Sequence, residues 1–212
     1  MNKNVRVLCY GDSNTWGYIA DSGQRYPIGV RWTSVLEKET GFEIIEEGYN
    51  GRTSAFDDPA DSKRNGLKSL PYILQKTGPI DLIIVMLGTN DIKFADFESS
   101  LSGILSVCHK AISQGISKLL LVSPVPHALF LEDVHPTLRP GKDVLKEFAK
   151  TGIRLQQEVL KHNWYFFDAG SCASVSPLDG THLDAASHIR LGKALAKMVI
   201  DIFSTPHKDT GI

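Results

Sequence analysis

The chain has 212 residues, of which 42% are hydrophobic and 22% are charged, and its 23 basic and 24 acidic side chains give a formal net charge of -1. These values are typical of a globular protein and exclude a disordered, collagen-like or coiled-coil chain. The balanced charge argues against a strongly basic surface for nucleic acid or anionic membranes. The length predicts a single α/β domain over residues 1–212.

Short apolar runs alternate along the chain with longer amphipathic stretches. The apolar runs predict five strands, at Val5–Tyr10, Phe42–Glu46, Ile80–Leu87, Lys118–Ser123 and Trp164–Asp168. The amphipathic stretches predict helices near Arg31–Thr40, Leu67–Lys76, Asp96–Gln114, Lys142–His162 and Asp184–Phe203. Such an alternation is typical of a parallel sheet with helices on both faces, so we predict a three-layer α/β sandwich around a five-stranded parallel sheet.

Three candidate functional residues follow the predicted strands, and functional groups of parallel sheets lie beyond the carboxyl ends of strands. Ser13 follows the first strand and a Gly-Asp turn, where a serine is placed to act as a nucleophile or, equally, as a helix N-cap. Gly51, after the second strand, offers a backbone N–H that no side chain shields, or is simple turn punctuation. Asn90, after the third strand, offers an amide donor or begins an Asx turn.

Near the C-terminus, Asp179 and His182 lie three positions apart. At this spacing the carboxylate can accept the imidazole N–H, which fixes the tautomer and leaves the other ring nitrogen to act as a base. A D-x-x-H pair is frequent by chance, so the pair by itself is a weak signal. It gains weight from the serine, glycine and asparagine that precede it.

Taken together, these segments resemble the SGNH (GDSL) hydrolase superfamily, whose four sequence blocks are named for Ser, Gly, Asn and His. The blocks occur in that order over nearly the whole chain, as Gly11-Asp12-Ser13, Gly51, Gly88-x-Asn90-Asp91 and Asp179-x-x-His182. Further segments are similar to the bacterial arylesterase/acyltransferase branch, some members of which transfer acyl groups to hydrogen peroxide. These segments are Gly11–Gly17, Val30–Thr33, Glu46–Gly48, Arg52-Thr53, Asp57–Pro59 and Met86–Asp91.

The resemblance implies a flavodoxin-like fold and a serine esterase or acyltransferase that acts on small or short-acyl esters through an acyl-serine intermediate. It implies that Ser13 is the nucleophile, His182 the general base and acid, and Asp179 the orienting partner of the imidazole. The oxyanion hole would consist of the Ser13 N–H, the Gly51 N–H and the Asn90 side-chain amide. The resemblance implies no metal and no organic cofactor.

Four residues beside these motifs are candidates for the substrate pocket: Asp12, Asn14, Trp16 and Arg52. Asp12 is also expected to accept a hydrogen bond behind the nucleophile. Asn14 stands where the family's name motif has leucine, so we expect it to alter the pocket floor. Packing is the alternative for Trp16 and a surface ion pair the alternative for Arg52.

The sequence also leads to expectations about the oligomeric state and the cellular location of the protein. The resemblance implies a homo-oligomer, for which Trp32, Phe130 and the segment Pro124–Pro140 are candidate contacts. The longest apolar run, Leu82 to Leu87, is far shorter than the ~20 residues of a membrane span. The N-terminal residues lack the apolar stretch of a signal peptide, and the three cysteines lack CxxC spacing. We therefore expect a cytoplasmic protein with reduced thiols and no membrane or nucleic-acid partner.

Several other functions stay open on the sequence alone. A carbohydrate O-acetylesterase, a thioesterase or a lysophospholipase would use the same residues, and a non-catalytic module that binds a small ligand could use the same cleft. Two groups of residues invite comparison with metal sites, and neither matches a standard ligand spacing. These groups are His127 with Asp133 and His135, and Asp57 with Asp58 and Asp61.

Overall fold

The computed structural model describes residues 5–130 and 141–204. Its centre is a five-stranded sheet in which every neighbouring pair is parallel. The strands are β1 (Arg6–Gly11), β2 (Glu43–Gly48), β3 (Leu82–Met86), β4 (Leu119–Val122) and β5 (Tyr165–Phe167), in the spatial order β2-β1-β3-β4-β5. All residues of β3 and β4 are buried, as their continuous apolar runs predict for central strands.

Helices connect the strands and cover both faces of the sheet, which confirms the predicted three-layer sandwich. They are α1 (Ser13–Trp16), α2 (Trp32–Thr40), α3 (Gly66–Thr77), α4 (Phe97–Ser113), α5 (Lys142–Phe148), α6 (Thr151–Val159) and α7 (Ala185–Ser204). Short 3-10 turns lie at Ser62–Arg64, Asp91–Lys93 and Ala169–Ser171. Because all neighbouring strands are parallel, the loops after the strands gather at one edge of the sheet.

Two apolar cores follow from the alternation of side chains along each strand. Leu8 and Tyr10 of β1 belong to the core on the α3, α4 and α6 side of the sheet. Val7 and Cys9 belong to the core on the α2 and α7 side. The two cores fix the position of β1 from both faces, and so fix the place where the chain leaves the strand toward Ser13.

The single helix predicted over Lys142–His162 is wrong, because the structure has two helices, α5 and α6, in that region. The apolar periodicity continues through the break, so the sequence pattern did not reveal it. The Thr151 hydroxyl donates to the Phe148 carbonyl, and the Lys150 N–H bonds the Glu147 carbonyl at 3.0 Å. These local bonds replace the regular ladder and tighten the turn between the helices.

The candidate contacts between copies are only partly accessible. Trp32 is fully buried, and its indole Nε1 donates to the Asn14 carbonyl at 3.1 Å. The expectation that Trp32 lies at an interface is therefore wrong; it supports the turn that carries Ser13. Phe130 is partly buried, and residues 131–140 of the proline-rich segment lie outside the described residues. No helix within the described ranges is long and apolar enough to cross a bilayer.

Candidate active site

The turn after β1 places Ser13 at the sheet edge. Asp12 caps the short helix α1, since its Oδ1 accepts the Asn14 N–H at 2.8 Å. A side chain at Gly48, where β2 ends, would meet the Trp16 backbone nitrogen at 2.1 Å. The glycine therefore lets α1 cross the end of β2, and this close crossing fixes Ser13 beyond the carboxyl end of β1.

Ser13, His182 and Asp179 form one hydrogen-bonded chain. The Ser13 Oγ lies 2.9 Å from the His182 Nε2, and the His182 Nδ1 lies 2.5 Å from the Asp179 Oδ2. A carboxylate only accepts, so the Nδ1 carries the proton and the Nε2 is left to accept from the serine hydroxyl. The structure thus brings together two chain segments that are 169 residues apart in sequence.

Hydrogen bonds keep Asp179 ionised. Desolvation acts to raise the pKa of Asp179, but the bonds that it accepts from the His182 ring and from two backbone N–H groups lower that pKa overall. The backbone donors are Thr181 and His182, each 3.0 Å from the Asp179 Oδ1. One carboxylate oxygen therefore holds the loop and the other holds the imidazole.

Asn14 fastens the histidine loop to the serine turn. Its Oδ1 accepts the Leu183 N–H at 2.9 Å, and its Nδ2 donates to the Thr181 carbonyl at 3.3 Å. The two bonds hold the backbone on either side of His182. Asn14 does not line the cavity described below, so its expected place on the pocket floor is replaced by this role in joining two loops.

Tyr18 is a site residue that the sequence analysis missed. Its ring stacks on the His182 imidazole, with centroids 4.2 Å apart and an interplanar angle of 29°. The stack restricts rotation of the imidazole about its side-chain bonds. An aromatic residue five positions after the serine carries no local signal for this contact, so only the folded chain reveals it.

Gly51 and Asn90 lie on the same cavity as Ser13. Gly51 has a φ of 79°, a left-handed conformation that favours glycine, and a side chain there would meet the Arg64 Nε at 2.6 Å. The Asn90 Nδ2 donates to the Arg52 carbonyl at 3.1 Å, while its Oδ1 accepts from the Lys93 ammonium at 3.0 Å. These partners fix the amide orientation and leave the second Nδ2 hydrogen for another acceptor.

Asp91 holds the Asn90 turn against the segment after Gly51. It is fully buried and accepts the Ser54 N–H at 2.8 Å, the Ser54 hydroxyl at 2.6 Å and the Ser100 hydroxyl at 3.0 Å. Burial outweighs these bonds and raises the pKa of Asp91 to about 6. The folded protein therefore binds this proton more tightly than the unfolded chain does.

We expect Asp91→Asn to change how stability depends on pH. Because the folded-state pKa is raised, the contribution of Asp91 is fully present below about pH 4 and is lost as pH rises through about 6. The shift of about two pKa units corresponds to about 3 kcal/mol. From about pH 4 to pH 7 the free energy of unfolding of the variant should therefore rise by about 3 kcal/mol relative to wild type.

Urea unfolding at several pH values measures this difference. Asp96→Asn is the matched control, because hydrogen bonds to Ser99 lower the pKa of Asp96, which caps α4. A lowered folded-state pKa gives stability that is lost only on acidification below about pH 4, so the control should show no comparable rise between about pH 4 and pH 7. Parallel stability curves for wild type and Asp91→Asn would contradict the prediction.

A cavity of about 420 Å³ adjoins the hydrogen-bonded chain. Its walls come from the loops after β1, β2, β3 and β4 and from the segment before α7, as expected for a site at the carboxyl edge of the sheet. The lining residues include Ser13, Tyr18, Gly51, Arg64, Asn90, Lys93, His127, Asp179 and His182. The cavity is large enough for a small organic molecule beside the Ser13 hydroxyl.

Three candidate pocket residues lie elsewhere. Arg52 is buried, donates to the Gly11 and Glu47 carbonyls and stacks over the Tyr10 ring at 4.3 Å. It ties the ends of β1 and β2 together, so both the pocket position and the surface ion pair are wrong. Trp16 borders a smaller neighbouring cavity, and buried Asp12 lies behind Ser13 as a hydrogen-bond acceptor.

The remaining motif residues form structural pairs. Arg31 binds Glu46 through its Nε at 3.2 Å and its Nη2 at 2.9 Å, which joins the start of α2 to β2.

Among the three aspartates compared with a metal site, Asp57 binds Lys68, Asp58 binds Arg64 and Asp61 accepts from the Tyr49 hydroxyl. Asp133 and His135 lie outside the described residues. No cluster of three or more potential metal ligands occurs in the part of the chain that the structure describes.

Known protein families and solved structures that resemble this chain are esterases and related acylhydrolases. Residues 9–190 match the model of the GDSL-like lipase/acylhydrolase family. The structure of the native M. smegmatis aryl esterase is 33% identical, with a TM-score of 0.83, and the alignment covers 93% of this chain and 99% of that one. A search of curated proteins finds no match.

Two Sinorhizobium meliloti structures are also similar. A carbohydrate acetylesterase family member is 34% identical over 95% of this chain and 100% of its own, with a TM-score of 0.87. Est24, a carbohydrate acetylesterase, is 33% identical over 94% of this chain and 100% of its own, with a TM-score of 0.86. These structures share the described fold along nearly its full length.

Proposed function

Because this chain belongs to the GDSL-like lipase/acylhydrolase family and is therefore an ester-bond hydrolase, we propose that it cleaves small, short-acyl carboxylic esters through an acyl-Ser13 intermediate. The observation that carries this proposal is the chain of hydrogen bonds from Asp179 through His182 to Ser13, which ends at a cavity. Serine is a weak nucleophile until a base accepts its proton, and the imidazole Nε2 is in hydrogen-bond reach.

In the proposed reaction the Ser13 Oγ attacks the ester carbonyl carbon while the His182 Nε2 accepts the hydroxyl proton. Asp179 stays ionised and stabilises the imidazolium. The carbonyl oxygen becomes an oxyanion that the Ser13 N–H, the Gly51 N–H and the second Asn90 Nδ2 hydrogen stabilise. The tetrahedral intermediate then expels the alcohol, which takes the proton from His182.

Water or another acceptor completes the reaction. His182 accepts the proton of the incoming water, whose oxygen attacks the acyl carbon. The second tetrahedral intermediate then expels the Ser13 Oγ, which takes that proton back from His182, and the carboxylic acid leaves. Tyr18 keeps the imidazole in line for both proton transfers through its stacked ring. All of these steps use groups of this chain, so the proposed reaction includes no metal or organic cofactor.

Acetylated carbohydrates are a second candidate substrate class, because two similar structures are carbohydrate acetylesterases. A series of p-nitrophenyl esters of increasing acyl length, run beside acetylated sugars, separates the candidates. Highest kcat/KM on the acetyl ester supports the short-acyl proposal, and a maximum on long acyl chains contradicts it. Covalent labelling by a fluorophosphonate tests the serine itself, since a module that only binds a ligand would not react.

Asn14 is proposed as a positioning residue for His182. We expect Asn14→Leu to leave the buried Leu183 N–H without its acceptor, which costs about 1–3 kcal/mol of unfolding free energy. The displaced imidazole should also lower kcat roughly tenfold while KM changes little. Urea unfolding and steady-state kinetics on p-nitrophenyl acetate measure the two effects.

Asn14→Asp is the matched control for this prediction. Aspartate keeps the acceptor for Leu183 but loses the donor to the Thr181 carbonyl, so its kcat should lie between those of wild type and Asn14→Leu. If Asn14→Leu loses stability with unchanged kcat, the residue acts in folding alone and the positioning role is wrong.

We also propose that copies of this chain associate. Leu129 and Leu178 are 50% and 63% exposed, and a bond from the Ala128 N–H to the Gly180 carbonyl joins their two segments. Burial of such side chains against a second copy would be favourable. Light scattering at micromolar concentration tests the proposal, and the mass of one chain would rule it out.

A cytoplasmic location is proposed on similar grounds. Cys9, Cys108 and Cys172 form no disulfide with one another, which suits a reducing compartment. Fractionation of cells that express the tagged chain tests this location, and recovery of the chain outside the cytoplasm would contradict it.

A further inference from the structure

Two cationic side chains lie on one wall of the cavity, behind two of the proposed oxyanion donors. The Lys93 ammonium binds the Asn90 Oδ1 at 3.0 Å. The Arg64 guanidinium crosses Gly51 so closely that a side chain there would collide with it, and its Nε donates to the Asn50 carbonyl at 3.2 Å. Both side chains line the same cavity as Ser13.

The two cationic side chains have a single carboxylate as an ion-pair partner. Asp58 binds the Arg64 Nη1 at 2.6 Å, and no carboxylate lies within ion-pair distance of Lys93 in the described ranges 5–130 and 141–204. Asp179, the acidic residue on the cavity wall, is bound to His182. The wall therefore keeps an excess of positive charge beside the site of reaction.

The electrostatics of Lys93 agree with this geometry. Desolvation and the nearby Arg64 guanidinium lower the pKa of Lys93, against the opposing effect of Asp58 and Asp12. Asp58 pairs with only one of these two cations, so a further anion bound beside both would reduce the remaining repulsion between them. An anionic group of a substrate would supply that charge.

The direction of the reaction indicates which part of the substrate reaches this wall. The leaving-group oxygen has to receive its proton from the His182 Nε2, so the alcohol portion lies on the histidine side of the cavity. The carbonyl oxygen faces Gly51 and Asn90. The acyl portion points away from His182. Lys93 and Arg64, which contact Asn90 and Gly51, are the cavity-lining lysine and arginine available to it.

We propose that Lys93 and Arg64 form a subsite for a carboxylate carried by the acyl group, so that the preferred substrates are half-esters of short dicarboxylic acids. This inference rests on the proposed esterase function and narrows its substrate class. Short half-esters fit because Lys93 binds the Asn90 side chain and Arg64 crosses Gly51, so both cations adjoin residues proposed to bind the carbonyl oxygen.

Kinetics on a matched pair of esters test the subsite. Ethyl hydrogen succinate carries the carboxylate, and ethyl levulinate replaces it with a neutral methyl ketone of nearly the same shape. We expect wild type to favour the half-ester by about five- to tenfold in kcat/KM at low salt. The preference should shrink between about 0.01 M and 0.5 M salt, because added ions screen partly exposed charges.

Lys93→Met is the diagnostic variant and Lys68→Met its control. Lys93→Met should bring the ratio of the two kcat/KM values close to one. Lys68 pairs with Asp57 away from the cavity, so Lys68→Met should leave the ratio as in wild type. An unchanged ratio in Lys93→Met overturns the proposal, even if both rates fall, since Lys93 would then serve only the oxyanion.

Hydrolysis of p-nitrophenyl acetate by wild type separates this inference from the proposed function. If wild type cleaves that ester but does not prefer ethyl hydrogen succinate over ethyl levulinate, the carboxylate subsite is wrong and the esterase proposal stands. If wild type cleaves none of the three esters, the esterase proposal fails and the subsite fails with it.

Discussion

Ser13→Ala is expected to lower kcat/KM for p-nitrophenyl acetate by a factor on the order of 10⁴–10⁶, because removal of the nucleophile leaves only binding and oxyanion stabilisation. The Ser13 side chain is buried, and its hydroxyl accounts for the contact with the His182 Nε2. Alanine removes that oxygen without adding volume, so the fold should persist. Stopped assays with high enzyme concentration measure the residual rate.

Ser171→Ala is a suitable control for Ser13→Ala. Ser171 likewise lies in a short turn after a strand, but its hydroxyl donates to the Asp168 carbonyl at 2.6 Å and lies away from the cavity. This variant should retain the wild-type rate. Wild-type turnover in Ser13→Ala would sink the acyl-serine proposal outright.

Asp179→Asn is expected to lower kcat by about 10⁴-fold with little loss of stability. The asparagine oxygen can keep the bonds from the Thr181 and His182 N–H groups. Its amide nitrogen then faces the His182 Nδ1 as a donor, so the imidazole has to carry its proton on the Nε2. In that tautomer the Nε2 cannot accept the serine proton.

Asp184→Asn controls for the loss of a negative charge near His182. Asp184 caps α7 by accepting the Ser187 N–H at 2.6 Å, and asparagine caps a helix about as well as aspartate. Its kcat should stay within a few-fold of wild type. A similar loss in both variants would mean that general electrostatics, and not the tautomer of His182, explains the effect.

The sheet followed from local patterns. Continuous apolar runs such as Leu119–Val122 have one stable location, the centre of a sheet covered on both faces, and all four residues are buried there. The alternation of strands with helices then left few topologies, because parallel crossovers have one hand. The break between α5 and α6 escaped prediction, because the Thr151 side-chain bond to Phe148 leaves no trace in the apolar periodicity.

Sequence reasoning likewise located some residues of the site and misplaced others. The order of the motifs placed Ser13, Gly51 and Asn90 after successive strands, and parallel strands bring such segments to one edge of the sheet. The sequence assigned Arg52 to the pocket because it lies near a motif. In the folded chain its guanidinium binds the carbonyls of Gly11 and Glu47 beneath the site, a contact that spacing does not reveal.

The sequence by itself determined the layered α/β architecture and the family of chemistry, since both depend on local periodicity and on short motifs in a set order. Only the tertiary structure decided which side chains support and surround the reacting groups. The Asn14 bond to Leu183, the Tyr18 stack on His182 and the cationic wall at Lys93 and Arg64 each join loops that are distant or unpatterned in sequence. Such contacts depend on how the loops pack at the sheet edge, and the packing of loops is a property of the whole fold.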